Sequence, residues 1–284
     1  MKAAILLTCF NRSEKTKACL ENLFAQKLPN DLDLSVFVCD DGSTDGTSDM
    51  INNDFPYVSV VKGNGSLYWG GGMNLAWSEA KKSQDFDFYI WLNDDTFLNE
   101  NAFLDFFEDY TSINKTVILS ASCSKPNTEE FSYGGLSDVG PILPNGKPQK
   151  VKYINGNLVL IPREIHQAVG KISKSYTHYL GDYDYGLRAK AAGFDCYTTS
   201  EYIAECDVNE IPYWGDPNLP LAKRWEMAHS VKGLAIREYL AFKKYHHGSV
   251  VAFKTWVDTY LKIMFPSVYT KLRGGQISKS ESKN

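Results

Sequence analysis

The stretch from Phe86 to Leu98 reads FDFYIWLNDDTFL, and it joins an almost uninterrupted apolar run to Asn93, Asp94 and Asp95. An apolar run of this kind is typical of a strand that is buried on both faces of a sheet. Two adjacent carboxylates at the end of such a strand repel each other unless a positive or hydrogen-bonding group lies between them. The pattern therefore predicts a buried strand with a chemical site at its carboxyl end.

Short apolar runs alternate with helical patterns through the first half of the chain. The other strand candidates are AAILLTCF, LSVFVCDD, YVSVVKGN and TVILSASC, and the helix candidates between the strands are Ser13–Lys27, Thr47–Asn53, Met73–Ser83 and Ala102–Tyr110. This alternation predicts an α/β fold of the Rossmann-like kind, with a mostly parallel central sheet and flanking helices. Ligands of such sheets bind beyond the carboxyl ends of the strands.

Charge is distributed unevenly along the 284 residues. Residues 1–219 hold 18 Lys and Arg against 30 Asp and Glu, whereas residues 220–284 hold 12 against 4. The C-terminal part therefore favours an anionic neighbour. With 43% hydrophobic residues, the chain can bury a substantial core, either as one large domain or as one domain with a helical appendage.

The cysteines indicate the compartment. None of the 6 forms a CxxC pair, and several lie in strand-like apolar runs, so we expect buried thiols in a reducing compartment. The opening MKAAILLTCFNR has too short an apolar stretch for a signal peptide or a membrane span. The sequence predicts a cytoplasmic protein.

Polar residues follow three of the predicted strands, in the segments TCFNR, CDDGSTDGT and LNDDT. We expect them to converge on one edge of the sheet. In CDDGSTDGT, a carboxylate of Asp40, Asp41 or Asp45 could accept the imide N–H of a pyrimidine base, or the segment could be an acidic turn that caps the next helix. The dinucleotide-binding and P-loop glycine patterns are absent from the sequence.

Five segments in this order, TCFNR, VFVCDDGSTDGT, WGGGMNLAW, WLNDDT and GDYDYGLRAKAAGF, closely resemble the family 2 glycosyltransferases. These are inverting enzymes that use nucleotide sugars, and the resemblance covers roughly residues 3–205. It implies a glycosyltransferase A-type fold with a C-terminal helical extension. LYWGGGMNLAW followed by YIWLNDDT is most similar to the branch from bacterial O-antigen and capsule clusters, which is often assigned to rhamnosyl transfer.

The resemblance implies a nucleotide-binding set. In it, Asp41 binds the base, Phe10 stacks on the pyrimidine, Asp94 meets the ribose, and the glycines of WGGGMN allow close approach to a diphosphate or sugar. A plain loop is the alternative for WGGGMN. The full set is Thr8, Phe10, Asn11, Arg12, Asp41, Gly72, Asn74 and Asp94.

The resemblance also implies a divalent metal, Mg²⁺ or Mn²⁺, coordinated by Asp95. A metal that bridges Asp95 and the donor diphosphate would relieve the carboxylate repulsion and neutralise the leaving group. A helix N-cap is the alternative for NDDT. His229 is a candidate third ligand, with a packed or exposed histidine as its alternative.

In the family, the catalytic base is the Asp of an ED pair, which is matched here by Asp182, although Gly181 stands where the family has Glu. Complementation of a helix dipole by two N-terminal acids is the alternative. The candidate residues for contact with the sugar or the acceptor are Trp69, Asn155, Gly156, Asn157 and Asp184. Trp69 could equally be core, and residues 155–157 could equally form a structural turn or bulge.

FKTWVDTYLKIMFP carries an apolar stripe at helical spacing, made of Phe253, Trp256, Val257, Tyr260, Leu261 and Met264. We expect this stripe to pack on its own domain, with peripheral membrane contact or homodimerisation as alternatives. The predicted organisation is a catalytic domain over residues 1–219, a helical extension packed on it over residues 220–275, and a disordered tail over residues 276–284.

The resemblance thus implies metal-dependent, inverting transfer of a sugar from dTDP-rhamnose or a UDP-hexose to a hydroxyl of a bacterial surface glycan or lipid-linked glycan. We expect no nucleic-acid partner, and a location in the cytoplasm or at the inner face of the plasma membrane. Two alternatives stay open. One is a nucleotidyltransferase, although the usual basic, glycine-rich loop after the first strand is missing. The other is a nucleotide-sugar or glycan-binding module without turnover.

Overall fold

The chain forms two compact units in a computed structural model that describes residues 1–208 and 214–272. The first unit contains residues 1–174 and 181–208. The described part of the second unit contains residues 175–180 and 214–272. The predicted disordered tail, 276–284, lies outside the described residues, and the predicted domain boundary at residue 219 stays a prediction.

The first unit is built on one sheet. Its strands are β1 Lys2–Cys9, β2 Asp33–Asp40, β3 Ser59–Lys62, β4 Phe88–Leu92, β5 Phe97–Leu98, β6 Val117–Ser124, β7 Phe131–Tyr133, β8 Gln149–Lys150, β9 Leu158–Pro162 and β10 Asp195–Glu205. The strand order in the sheet is β3-β2-β1-β4-β9-β6-β10-β5, with β7 paired to β6 and β8 paired to β10. All five predicted strands are confirmed, as β1, β2, β3, β4 and β6.

Helices flank this sheet, and two hydrophobic clusters form its core. The helices of the first unit are α1 Ser13–Phe24, α2 Thr47–Asp54, α3 Tyr68–Ser83, α4 Ala102–Ser112, α5 Arg163–Val169 and α6 Gly181–Ala191. Every residue of β4 is buried, as the apolar run predicts. The predicted α/β class with flanking helices is confirmed.

Strand directions bring the polar segments to one edge. Strand β1 lies between β2 and β4 and is parallel to both, so the segments that follow these three strands leave the sheet at the same edge. Strand β9 runs antiparallel to β4, with Leu158 opposite Leu92. The residues just before β9, 155–157, therefore reach the same edge. This reversal is why a segment far along the chain joins the groups that follow the parallel strands.

Helix α3 begins at Tyr68, whereas the sequence pattern predicted a turn there and a helix only from Met73. The prediction was wrong because the cap comes from a distant segment. The Asp41 carboxylate accepts the backbone N–H groups of Leu67 at 2.8 Å and Tyr68 at 2.9 Å, and that of Gly65 at 2.9 Å. A carboxylate at a helix N-terminus satisfies free donors and complements the helix dipole. The helix can therefore start within the glycine-rich segment.

The second unit contains helices α7 Leu221–His229, α8 Ile236–His247, α9 Ser249–Met264 and α10 Pro266–Leu272, so the predicted C-terminal helices are present. The expectation that the stripe on α9 is packed is wrong for several of its side chains. Phe253 is 65% exposed, Trp256 46% and Met264 50%. The residues of α9 that are buried are Thr259 and Ile263, on another side of the helix. The periodicity identified the helix but not the face that it buries.

Two further expectations concern the cysteines and the membrane. All 6 cysteines are buried, as predicted, and each is a free thiol. Over residues 1–208 and 214–272, no helix has the length and apolar content that a membrane crossing requires.

Candidate active site

The carboxylate pair at the end of β4 is bridged by an arginine. Arg12 donates from Nη1 to Asp94 Oδ1 at 2.9 Å and to Asp95 Oδ2 at 2.8 Å. Thr16 in α1 donates from Oγ1 to Asp94 Oδ2 at 3.3 Å. The positive group that the adjacent carboxylates require is therefore present within the chain. Arg12 was predicted to lie near the nucleotide, but the bridge was not predictable from local sequence, because the two segments are 82 residues apart.

The two carboxylates differ in their surroundings. The Asp94 side chain is 7% exposed and the Asp95 side chain 17%. Burial raises the pKa of Asp94 to about 6, although the charge of Arg12 acts in the opposite direction. Asp95 is the more accessible member of the pair. This difference in exposure is consistent with different roles for the two carboxylates, in which Asp95 is the one that contacts a ligand from solvent.

The turns after β1 and β2 are tied together. Asn11 donates its backbone N–H to Ser43 Oγ at 2.8 Å and accepts the backbone N–H of Thr44 on Oδ1 at 2.8 Å. Asp40 accepts the backbone N–H of Ser43 at 2.8 Å and the hydroxyl of Ser48. These bonds fix the loop that follows the first aspartate of CDDGSTDGT. Asp40 therefore has a structural role in this turn, and Asp41 stays the carboxylate that the resemblance assigns to the base.

Thr8 and Gly72 touch, which places α3 directly on the end of β1. A Cβ atom added at Gly72 would lie 2.0 Å from Thr8 Oγ1, so a glycine is required there. Phe10, two residues beyond Thr8, is 45% exposed and presents an open ring. Asn74 donates from Nδ2 to the carbonyl of Ile172 at 2.9 Å, and within the described structure its Oδ1 is buried without a partner.

A chain of side-chain hydrogen bonds connects α3, β4 and the segment before β9. Trp69 donates from Nε1 to Asn93 Oδ1 at 2.8 Å, and Asn93 donates from Nδ2 to Asn157 Oδ1 at 2.7 Å. The Asn93 backbone N–H also donates to the carbonyl of Asn157 at 2.9 Å. Sequence reasoning did not assign Asn93 a role. Its position at the head of NDDT, directly after a buried strand, was the available signal.

Asp182 lies in the first turn of α6 and is held by backbone donors. Its Oδ2 accepts the N–H of Gly156 at 2.9 Å, and its Oδ1 accepts the N–H of Tyr183 at 2.8 Å. Burial raises its pKa to about 6, against the opposing effect of these two hydrogen bonds. A carboxylate with this pKa is mostly ionised at neutral pH and is a stronger base than an ordinary aspartate. Asp182 can therefore accept a proton near neutrality.

Trp69 packs against two glycines. A Cβ atom at Gly156 would lie 2.6 Å from Trp69 Cζ2, and one at Gly181 would lie 3.3 Å from Trp69 Cζ3 and 3.0 Å from Ile172 Cγ2. The indole therefore occupies space that larger residues at these positions would need. This tight packing gives a steric reason for Gly181 at the position where the family has a glutamate. Asp182, Gly156, Trp69 and Asn93 consequently form one connected cluster at the end of β4.

Comparison with known protein families decides the family. The model of glycosyl transferase family 2 matches residues 4–169, which is more than half of the chain. The chain belongs to glycosyl transferase family 2. The matched range covers the ends of β1, β2 and β4 and the residues before β9. No curated protein matches this family 2 chain in sequence.

Solved structures show the same fold. S. aureus TarS has a TM-score of 0.57 at 13% identity, covering 96% of this chain and 50% of its own. S. aureus TarS 1–349 in complex with UDP also has a TM-score of 0.57 at 13% identity, and the match covers 96% of this chain and 83% of the TarS 1–349 chain. Mannosyltransferase PcManGT from Pyrobaculum calidifontis, in complex with GDP-Man and Mn²⁺, has a TM-score of 0.54 at 15% identity. The match covers 99% of this chain and 85% of the PcManGT chain. The family 2 chain therefore has the glycosyltransferase A-type fold, and it spans half the length of the TarS chain.

Asp184 has a structural role in this family 2 glycosyltransferase. It is 2% exposed and pairs with Arg188 Nε at 2.7 Å. Arg188 in turn donates to the carbonyls of Val169 at 2.7 Å and Lys171 at 2.9 Å. These contacts indicate that Asp184 positions α6, and its predicted contact with the sugar or the acceptor stays a prediction.

His229 lies in the second unit, and both of its ring nitrogens have partners. Nδ1 lies 2.8 Å from the carbonyl of Trp225, and Nε2 lies 3.2 Å from the hydroxyl of Tyr260. With Nδ1–H donating to the carbonyl, Nε2 accepts from the tyrosine, so its lone pair is engaged. Among the residues that the structure describes, no group of three or more His, Cys, Asp or Glu side chains could hold a metal. These contacts argue against His229 as a metal ligand.

Proposed function

We propose that this family 2 glycosyltransferase transfers a sugar, with inversion, from a nucleoside-diphosphate sugar to a hydroxyl of a bacterial surface glycan or lipid-linked glycan. One observation carries the proposal. Asp182, a carboxylate with a pKa of about 6, is held by the N–H of Gly156. Gly156 belongs to the same cluster of contacts as Asn93, which precedes the Asp94–Asp95 pair.

Asp182 is the proposed general base. Its carboxylate takes the proton of the acceptor hydroxyl while that oxygen attacks the anomeric carbon from the side opposite the diphosphate. The new carbon–oxygen bond forms as the bond to the diphosphate oxygen breaks, and the nucleoside diphosphate leaves with the electron pair. Direct displacement of this kind inverts the anomeric configuration.

Asp94 and Asp95 are the proposed polar contacts on the donor side. Mg²⁺ is commonly held by one or two carboxylates together with substrate phosphates, so this pair fits a divalent ion without a third protein ligand. Such an ion, when bound, supplies positive charge to the leaving diphosphate. In the structure, the single positive charge of Arg12 offsets one of the two negative charges of the pair, and the Arg12 side chain is 42% exposed. We assign Asp95, the more accessible member, to the metal and Asp94 to the ribose.

The proposed base site lies between Phe10 and Asp41. The exposed Phe10 ring can stack on a pyrimidine, and Asp41 is 4% exposed beneath the start of α3. Asp41 already accepts three backbone N–H groups. A carboxylate offers about four lone-pair sites, so one acceptor position is left for the imide N–H of a base. Asp41 would then link base recognition to the N-terminus of α3.

The donor is proposed to be dTDP-rhamnose or a UDP-hexose. This choice is supported by the resemblance of LYWGGGMNLAW and YIWLNDDT to enzymes of O-antigen and capsule synthesis. A pyrimidine base also agrees with an aromatic residue and a carboxylate on the proposed base site. The binding-module alternative had been favoured by Gly181 in place of glutamate, and the packing of Trp69 against Gly181 now gives that glycine a steric reason.

A ligand-stabilisation screen tests the proposed donor site. We expect UDP or dTDP with Mn²⁺ to raise the melting temperature of the protein, because a ligand at about 100 times its Kd adds about 2.7 kcal/mol to the unfolding free energy. For a unit of this size, that corresponds to roughly 5–10 °C. The same nucleotides with EDTA and the free nucleosides with Mn²⁺ serve as controls. Equal melting temperatures with and without every nucleoside diphosphate tested would contradict the proposal.

A further inference from the structure

The second unit presents apolar side chains to solvent along α9 and the adjoining part of α7. We call Trp225, Phe253, Trp256, Leu261 and Met264 the apolar face. These side chains are 47%, 65%, 46%, 45% and 50% exposed, respectively. Soluble proteins seldom expose contiguous apolar patches of more than a few hundred Å², and larger ones mark interaction sites. A set of five large, neighbouring apolar side chains therefore calls for a partner.

Aromatic contacts make the apolar face continuous. The rings of Phe253 and Trp256 stack with centroids 6.0 Å apart. The ring centroid of Tyr260 lies 5.2 Å from that of Trp256 and 5.5 Å from that of Trp225, so Tyr260 connects α9 to α7. These ring contacts connect the aromatic residues of α9 with Trp225 on α7, and such pairs add to the energy of area burial alone.

The orientation of α9 is the second observation. Its buried residues are Thr259 and Ile263, whereas Phe253, Leu261 and Met264 are exposed. A helix that packs only on its own domain buries its apolar stripe and exposes its polar residues. Here much of the stripe is directed to solvent, which is the arrangement of a helix that lies in the plane of a membrane interface.

Charge distinguishes between the candidate partners. Residues 214–272 contain nine Lys and Arg against four Asp and Glu. Exposed cations of this unit include Lys232, Arg237, Lys244 and Lys254. Like charge opposes the approach of a second copy of this unit, whereas an anionic lipid surface attracts it. Tryptophan and tyrosine are also the residues that favour the headgroup region of bilayers.

We propose that the apolar face inserts into the interfacial layer of an anionic lipid bilayer, with α9 parallel to the membrane plane. Trp225 and Trp256 enter the headgroup region, and Phe253, Leu261 and Met264 reach the boundary of the acyl chains. Exposed cations of the unit, such as Lys254 on α9, contact the lipid phosphates. The protein would thereby act on acceptors that are held at the membrane surface.

Co-sedimentation of the full chain with lipid vesicles tests this proposal. We expect binding to vesicles of phosphatidylcholine with phosphatidylglycerol, and at least tenfold weaker binding to pure phosphatidylcholine or in high salt, because each basic residue near an anionic surface contributes about 1 kcal/mol, or about fivefold in affinity. The double variant Phe253→Ser and Trp256→Ser should bind anionic vesicles at least tenfold more weakly. The matched control is Tyr57→Ser, which removes a 92% exposed aromatic ring from the first unit and should bind as the wild type does.

Three results would overturn the proposal. They are anionic vesicle binding that is equal in the double variant and the wild type, failure of the wild type to bind any vesicle, and a dimer in solution that the double variant abolishes. The melting temperature of the double variant should stay within a few degrees of the wild-type value, because the replaced side chains are exposed. A large drop would show that they are core residues. Sedimentation measures lipid binding alone, so its failure would leave the proposed sugar transfer untouched.

Discussion

Asp182→Asn should lower the rate of sugar transfer by about 10²- to 10⁴-fold, which is the usual contribution of a general base. The donor Kd should change little, because the residue contacts the N–H groups of Gly156 and Tyr183 and is assigned to the acceptor hydroxyl. The measurement is the initial rate of transfer together with the Kd of the nucleoside diphosphate. Asp138→Asn, which removes an exposed carboxylate paired with Lys152, is the control and should retain wild-type activity.

The pH dependence gives a second readout of the same residue. Because burial raises the pKa of Asp182 to about 6, kcat/KM should rise as the pH increases through 6 and level off above it. Below this range the carboxyl is protonated and cannot accept a proton. In Asp182→Asn the rise near pH 6 should become weaker, and the part that remains should come from Asp94, whose pKa burial also raises to about 6. A variant that turns over normally but binds the donor poorly would show that Asp182 is only a helix cap.

Asp95→Asn should lower kcat by at least about 10²-fold and remove the dependence of nucleotide binding on Mn²⁺. A metal at a departing phosphate contributes several kcal/mol of charge stabilisation, and each 1.36 kcal/mol is about tenfold in rate. The fold should persist, because Arg12 still neutralises Asp94 through its bond at 2.9 Å. Titration calorimetry with UDP or dTDP, with and without Mn²⁺, measures how strongly nucleotide binding depends on the metal.

The control for Asp95→Asn is Asp54→Asn, which also removes a carboxylate paired with a cation, Lys17, but at an exposed position on α2. This variant should keep the Mn²⁺ dependence of nucleotide binding. Wild-type activity that is unchanged by EDTA would contradict the role given to Asp95. It would indicate instead that the bridging Arg12 supplies the positive charge on its own.

Local sequence was sufficient to predict the architecture around the site. The apolar runs that became β1, β2 and β4 are each followed by polar segments, and parallel pairing brings those segments to one edge. Asp94 and Asp95 were found because two acids at the mouth of a buried strand are unfavourable without a partner. The glycosyltransferase A-type fold was implied by the resemblance of these segments to family 2 glycosyltransferases, and the structural likeness to TarS and PcManGT confirms it.

Long-range contacts were beyond the reach of the sequence pattern. Arg12 meets a carboxylate 82 residues away, and Asp41 caps a helix that begins 27 residues later. Neither contact changes the local periodicity. The apolar stripe on α9 predicted a helix correctly, but its spacing did not show that side chains such as Phe253 would be exposed to solvent. Asp184 was assigned by its motif, and only the tertiary structure shows that Arg188 pairs with it.

Release of nucleoside diphosphate from candidate donors tests the central claim most directly. The full chain is incubated with dTDP-rhamnose, UDP-hexoses and GDP-mannose, with Mn²⁺ or EDTA, and the freed nucleotide is quantified by chromatography. We predict Mn²⁺-dependent release from a pyrimidine-nucleotide donor, faster than without protein and strongly reduced in both Asp95→Asn and Asp182→Asn. Rates equal to the protein-free reaction for every donor, or release that both variants retain in full, would contradict nucleotide-sugar transfer at this site.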